Sequence, residues 1–363
     1  MKNREDKKTV LIINTVGMGY DGMSHVILNY LCHMSVDGLD LHFTAAPDVN
    51  DSIRNTLENY GTIHYIPLKK ENLWAYVFGL NKTLKSRIDV IHIHGNSGTM
   101  VIESLLARLH GIPQILVHCH NTKTSYPLLN RILTPIMKCM ATDLIACSRA
   151  SGEWLYGKSS YLVLNNAIDL KKYEFNPLVR EEVRREFQVG DTLLVGHIGA
   201  FLESKNQPYL VEAFADFHRR YPNSKLMLVS DGPMFEAVKH QVEQLGLTGS
   251  VIFPGRRSDA QRLYQAMDVF VMPSRWEGLP LVMLEAQASG LPVLASDRIT
   301  RDAACTDRVR FLSIDETPSV WADALMELVD EKKDRVEGIA QQLRQHGFDI
   351  TEEAEILRDI YLA

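Results

Sequence analysis

The segment Asp268–Ser296, DVFVMPSRWEGLPLVMLEAQASGLPVLAS, carries two carboxylates, Glu277 and Glu285, in an E-x7-E spacing. A short apolar strand, Val269–Met272, stops at Pro273, and the loop beyond it holds Ser274, Arg275, Trp276 and Glu277. Gly278 and Leu279 precede Pro280, which suits the first turn of a helix, and Gly290 ends that helix before Pro292 and another strand. Glu277 is thereby expected at the carboxyl edge of a sheet, with Glu285 one to two turns along the next helix. Carboxylates accept hydrogen bonds from pairs of hydroxyls, and the amides of a helix N-terminus receive phosphate oxygens. The combination suits a ligand with hydroxyls at both ends and a diphosphate between, which is the make-up of a nucleotide sugar. Glu285 fits poorly as a solvated residue, because LVMLEA surrounds it with apolar neighbours. Glu277, taken alone, would pass as an ordinary loop carboxylate.

Other polar residues fall where strands end. Lys205 follows the strand Leu193–Ile198 and the loop GAFLES, a place from which an ammonium can meet a diphosphate whose charge grows as a glycosidic bond breaks. After the first strand comes Gly17-Met-Gly-Tyr-Asp-Gly22, in which Gly19 and Gly22 let backbone approach a ligand beside a helix start. The spacing is not the dinucleotide G-x-G-x-x-G, and the same glycines also suit a simple tight turn. Histidines crowd two strand ends, IHIHGN at 91–96 and VHCHNT at 117–122, so that His92 and His94 share a face, as do His118 and His120. No acidic or cysteine partner accompanies them at a suitable spacing, and no metal site is expected.

The elements that must position these residues alternate. Short apolar runs (Val10–Asn14, Leu41–Ala45, Val90–His94, Ile115–His118) are separated by helical patterns, and the pattern restarts at Leu193. A length of 363 residues, 45% of them hydrophobic, supports two parallel-sheet α/β domains. The expected division is 1–168, a polar linker at 169–190, a second domain at 191–345, and a C-terminal helix at 346–363 packing back toward the first. A net charge of -6 argues against wrapping nucleic acid. Five cysteines without a CxxC pair read as reduced thiols of a cytoplasmic protein. The amino end is a polar tail before the apolar VLII, too short for a signal sequence or a membrane span.

PSRWEGLPLVMLEA resembles the E-x7-E donor motif of the retaining, GT-B-fold glycosyltransferases of family 4. The likeness extends through GHIGAFLESKNQPYLVEAF, LMLVSDGP, VIFPGRRSDAQRLYQAMDVFVMPS, ACSRASGEWLYG and LNNAIDL, the last two as in members that build bacterial capsular and exopolysaccharides. The resemblance implies two Rossmann-like domains facing across a cleft and a nucleotide-sugar donor, UDP-sugar first, with GDP- or ADP-sugar as alternatives. It implies no tightly bound cofactor. Glu277 would contact the donor sugar and Glu285 the ribose, with Gly278, Leu279 and Pro280 lining the diphosphate and sugar. His120 would stand nearest the reaction centre, with His94, Asn121 and Arg275 as further cleft or acceptor residues. The acceptor would be a hydroxyl of a glycan or lipid-linked glycan.

Two positions depart from the family pattern. Ala200 stands where an arginine usually follows the glycine, and Ser230 replaces the first glycine of Gly-Asp-Gly. Arg275, Arg256 and Arg257 are the cations that would compensate. These departures leave a sugar-nucleotide-binding homologue with a degenerate centre as the rival reading, and a nicotinamide-dependent oxidoreductase as a distant third. Pro127–Met140, PLLNRILTPIMKCM, mixes apolar residues with Arg131 and Lys138 at helical spacing. It reads either as a peripheral contact with the inner face of the cell membrane or as a helix packed on the sheet.

Overall fold

The computed structural model describes residues 7–19, 21–124, 126–331, 335 and 338–363; the polar tail expected at 1–6 lies outside them. The chain divides into two compact units, Met1–Ala167 with Ile350–Ala363, and Ile168–Asp349. The first contains β1 (Lys8–Asn14), β2 (Leu39–Ala45), β3 (Gly61–Tyr65), β4 (Val90–Gly95), β5 (Gln114–Cys119), β6 (Asp143–Ala146) and β7 (Leu162–Val163). They form one sheet in the order β3-β2-β1-β4-β5-β6-β7. The second contains β8 (Leu193–Ile198), β9 (Ser224–Val229), β10 (Val251–Gly255), β11 (Val269–Met272), β12 (Val293–Ser296) and β13 (Val309–Leu312), in the order β10-β9-β8-β11-β12-β13.

Strand pairing is parallel throughout both sheets. A parallel sheet needs helices on both faces, so its central strands are buried on both sides. VIHIHG in β4, VFVM in β11 and VLAS in β12 are buried along their whole length. In each sheet the strand order reverses once, between β1 and β4 and between β8 and β11. Open α/β sheets bind ligands outside the carboxyl ends of the strands at such a reversal.

The segment 169–190, expected as a linker, is part of the second unit. It folds into the helices Leu170–Tyr173 and Pro177–Glu186, and Leu170, Tyr173, Val183 and Val189 enter that unit's core. Its polar composition reflects a helix with a narrow buried stripe, not an unstructured connection. Asn176 caps the second helix, accepting from Leu178 N and Val179 N, with Pro177 at its first position. The strand β13 escapes a hydropathy reading because VRFL is only half-buried.

The helix Ile350–Leu362 belongs to the first unit, where Ile350, Ala354, Leu357 and Tyr361 join the core that holds Tyr30, Leu31 and Met34. Tyr361 is fully buried, and its hydroxyl lies 2.6 Å from His92 Nδ1. Replacing Tyr361 with Ala is expected to destabilise the protein by roughly 3–5 kcal/mol, the usual cost of deleting a buried aromatic ring. Urea denaturation measures it, and an unchanged midpoint would mean that this helix contributes little to the first unit.

Candidate functional site

The loops that follow β8 and β11 carry Lys205, Arg275 and Glu277 of the second unit. From β8 the chain runs through Gly199 and Ala200 to a short 3-10 turn, Glu203–Lys205. Asn206 then adopts the left-handed conformation (φ 57°, ψ 37°). Its Nδ2 donates to Pro273 O at 3.2 Å, and Arg275 N donates to Ser204 O at 2.7 Å, so the two loops are fastened to each other. Lys205 Nζ donates to Glu277 Oε1 at 2.5 Å, and Ser274 Oγ donates to the same oxygen at 2.9 Å. The Lys205 and Glu277 side chains are only 19% and 13% exposed, so the pair is well shielded from water.

Gly199 makes room for this arrangement. An added Cβ there would sit 3.3 Å from His197 Nε2 and 3.5 Å from Lys205 Cδ. His197 Nδ1 lies 2.8 Å from Val271 O, which can only accept, so Nδ1 carries the proton and Nε2 is a buried lone pair without a partner. Burial, with the nearby Lys205 charge adding, holds this imidazole down at about 4 and therefore neutral.

Gly278 is exposed with open space around it, and Leu279 rests half-buried on the core. Pro280 is the N-cap of the helix Leu281–Ala288 rather than its first residue, and no side chain caps that helix. Inside it, Glu285 accepts from two phenols: Tyr173 Oη donates to Oε1 and Tyr264 Oη to Oε2, each at 2.8 Å.

The family model for glycosyl transferases group 1 matches residues 179–344, a span that contains this whole arrangement except Tyr173. The putative glycosyltransferase EpsF of Bacillus subtilis is 30% identical over 376 residues, covering 99% of this chain and 97% of the relative. The chain belongs to the glycosyl transferases group 1. A second relative, the UDP-Gal:alpha-D-GlcNAc-diphosphoundecaprenol alpha-1,3-galactosyltransferase of Escherichia coli, is 26% identical over 77% of this chain and 76% of its own. Among solved structures, Anabaena HepE in complex with UDP superposes with a TM-score of 0.77 at 18% identity, covering 97% of this chain and 99% of HepE. That likeness concerns the fold.

In the first unit of this glycosyltransferase, the two histidine pairs converge into one column. The register sets His94 opposite His118. His92 Nε2 lies 3.2 Å from His118 Nδ1, and His94 Nδ1 lies 2.8 Å from His120 Nε2. His118 and His120 stack with centroids 4.1 Å apart. His118 Nε2 and His120 Nδ1 are buried without a hydrogen-bond partner. His92 is satisfied on both nitrogens, by Tyr361 and His118, whereas His118 is satisfied on one only. Nitrogens of His92, His94 and His118 lie within 4.8 Å of one another. Among the described residues no carboxylate joins this group. Asn121 is exposed and turns its Oδ1 back to Thr122 N at 2.8 Å.

The glycine loop is organised from within. Gly17 has φ +92°, and a Cβ there would meet Leu68 at 2.3 Å, so this position requires glycine. Gly22 begins the helix Gly22–His33 with nothing near its absent Cβ. Gly19 N donates to Ser24 Oγ at 2.9 Å, and Asp21 caps the helix by accepting from Met23 N and Ser24 N. Because a carboxylate already occupies this helix end, phosphate is less welcome there than at the uncapped Leu281–Ala288.

Sequence reasoning missed Tyr173, Tyr264, Asn206 and His197. Tyr264 sits in the quoted segment RLYQAMDVF without any charge to draw notice, and Tyr173 fell in the supposed linker. The three candidate replacement cations separate cleanly. Arg256 pairs with Asp231 and Arg257 with Glu186 and Asp259, whereas Arg275 Nη2 bonds only neutral Asn206 Oδ1, at 3.2 Å.

The histidine column makes the first unit sensitive to acid. Burial, with neighbouring rings adding for His92, His94 and His118, holds His92 and His120 at about 3 and the other two well below 6.5. The unfolded chain therefore binds more protons than the folded one between about pH 6.5 and 3. Stability is complete above that window and falls as the pH drops through it. Denaturant titrations at pH 7, 6 and 5 are expected to show this loss, with a shallower dependence in His118→Asn.

Proposed function

We propose that this glycosyltransferase moves a sugar, with retention at the anomeric carbon, from a nucleotide sugar to a hydroxyl of a glycan or lipid-linked glycan in capsular, exopolysaccharide or related cell-surface polysaccharide synthesis. The observation that carries the reading is the Lys205–Glu277 pair at the β8/β11 reversal, one helix away from Glu285. Glu277 accepts from the donor sugar's hydroxyls, and Glu285 accepts from the ribose. Lys205 and the uncapped helix start beyond Gly278, Leu279 and Pro280 take the diphosphate, the leaving group of the reaction. Arg275, in no ion pair among the described residues, supplies the second phosphate cation that Ala200 cannot. UDP is the first choice of nucleotide, supported by the UDP and UDP-glucose held by HepE and by the UDP-Gal in the name of the Escherichia coli relative. His120, neutral and with Nδ1 unpartnered, serves the acceptor hydroxyl, with His94 fixing its ring and Asn121 nearby. Gly19 and Gly22 let the backbone of their loop approach the donor.

The acceptor side favours a membrane-borne glycan, in keeping with the diphosphoundecaprenol acceptor named for the Escherichia coli relative. The helix Pro127–Met140 continues through Pro135, burying Thr134 and Met137 while Leu128, Leu129, Ile132 and Ile136 are exposed. Leu105 and Leu109 of the adjoining helix Val101–Leu109 are exposed as well. Among the described residues no helix is long and apolar enough to cross a membrane. Such a face, with Arg131 and Lys138 on the same helix, suits peripheral attachment at the inner, cytoplasmic face of the cell membrane. Vesicles containing anionic lipid are expected to sediment the protein. Leu128→Glu with Ile132→Glu is expected to reduce that binding several-fold while nucleotide binding persists; unchanged sedimentation of the double variant rejects the assignment of this helix.

A donor screen with UDP-, GDP- and ADP-sugars, read by thermal shift and then by product mass with a membrane extract as acceptor, tests the central reading. Glu277→Ala is expected to lower transfer on the order of a hundredfold, the scale of losing a charged contact to the transition state. Near-normal turnover in that variant removes its assigned role. The rival, a homologue that binds without transferring, is favoured by Ala200 and by Ser230 at φ 119°, a conformation natural to glycine. Donor binding without any product across the acceptors would establish it instead.

A further inference from the structure

We infer that Tyr173 and Tyr264 are positioning residues that fix the plane of the Glu285 carboxylate and thereby set a preference for ribonucleotides over their 2′-deoxy counterparts, an inference that rests on the donor reading above. A carboxylate has about four lone-pair directions, two on each oxygen. The two phenols donate one hydrogen bond to each oxygen, at 2.8 Å, so one lone pair on each remains. The two unused directions match the paired O–H donors of a vicinal diol. They do not match a single hydroxyl, which leaves one oxygen unanswered.

The phenols are themselves held. Tyr264 is fully buried and Tyr173 is 8% exposed, and their rings meet edge-on at 5.9 Å. Gln265 Nε2 donates to Tyr173 O at 3.3 Å while its Oε1 accepts from Asn176 N at 2.9 Å, which ties down the chain around Tyr173. The end of the helix bearing Tyr264 is clamped by guanidinium groups. Arg180 Nη1 donates to Gln265, Ala266 and Met267 carbonyls, each at 3.0 Å, and Arg335 Nη2 donates to Tyr264 O at 2.8 Å. Burial first, and the Glu285 charge second, raise both phenols above their ordinary acidity range, so they remain donors. A glutamate side chain without these contacts would sample several rotamers and lose part of its binding energy in ordering.

If the phenols only satisfied a half-buried carboxylate, their loss would lower stability and leave ligand choice alone. The discriminating measurement is therefore a ratio. Tyr173→Phe and Tyr264→Phe keep the rings and delete one hydroxyl each. Calorimetric titration of the wild type and both variants uses UDP, GDP and ADP and the 2′-deoxy form of each, beside melting temperatures. The wild type is expected to bind its preferred ribonucleotide about tenfold more tightly than the deoxy form, the scale of one hydrogen bond to a charged group. Each Phe variant is expected to pull that ratio toward one by weakening the ribonucleotide. Ratios unchanged in both variants overturn the inference, as does a wild type that binds a nucleoside diphosphate but ignores the 2′-hydroxyl. A wild type that binds none of the six nucleotides overturns the donor reading itself, which is a separate and recognisable result.

Discussion

An ammonium and a carboxylate 2.5 Å apart, both largely shielded from water, set the terms for everything around them in the second unit. Either charge left alone in that setting would be costly, so Lys205 and Glu277 stabilise each other only while their two loops keep their places. The Asn206 bridge to Pro273, the Arg275 amide on Ser204 and the Ser274 hydroxyl on Glu277 all serve that requirement. The ion pair thus holds the two loops in place, and Arg275, exposed and bonded to neutral Asn206, carries a charge that the pair does not answer.

The loops at the ends of β8 and β9 are locked by equally local rules. Phe201 N donates to Asp231 O at 2.9 Å, and Met234 N donates to Phe201 O at 3.0 Å. Gly232, at φ 153°, comes so near that a Cβ would stand 2.7 Å from the Phe201 backbone. Glycine is therefore obligatory at 232. Ser230 accepts an unfavourable φ of 119° two residues earlier, while its N donates to Gly255 O at 2.9 Å. Strain of this kind persists where surrounding contacts over-determine the backbone, and here it lies at the carboxyl edge that carries Lys205.

Glu277, Glu285 and Lys205 were legible in the sequence because each sits a fixed, short distance beyond a strand whose apolar run announces itself. The strand end gives the sheet edge, and the helix that follows gives the spacing. Tyr173 was not legible, since it meets Glu285 across 112 residues of chain and lies on a four-residue helix that composition alone paints as linker. The convergence of the histidines was half legible. Alternation put each pair on one face, but only the β4/β5 register brings His94 opposite His118. Hydropathy found the helix Pro127–Met140 yet could not choose between a membrane contact and packing on the sheet. That choice depends on which neighbours cover its outer stripe, a property of packing that periodicity does not encode.

The two sheets offer the same topological opening with opposite chemistry. At the β8/β11 reversal the fold gathers formal charges: Lys205, Glu277, Arg275 and, a helix beyond, Glu285. Near the β1/β4 reversal it gathers neutral groups: buried Asn14, Ser24 and His94 and, beyond β5, half-buried His120. Charge is what a diphosphate needs, because its binding energy is electrostatic and its leaving group gains negative charge. A hydroxyl that must lose a proton is better served by an imidazole that starts neutral and can accept it. Burial keeps all four imidazoles neutral, and neighbouring rings add to it for His92, His94 and His118. The column therefore combines two effects that a lone histidine would not give. It orients His120 through His94, and its burial holds that ring in the proton-accepting form well into the acid range.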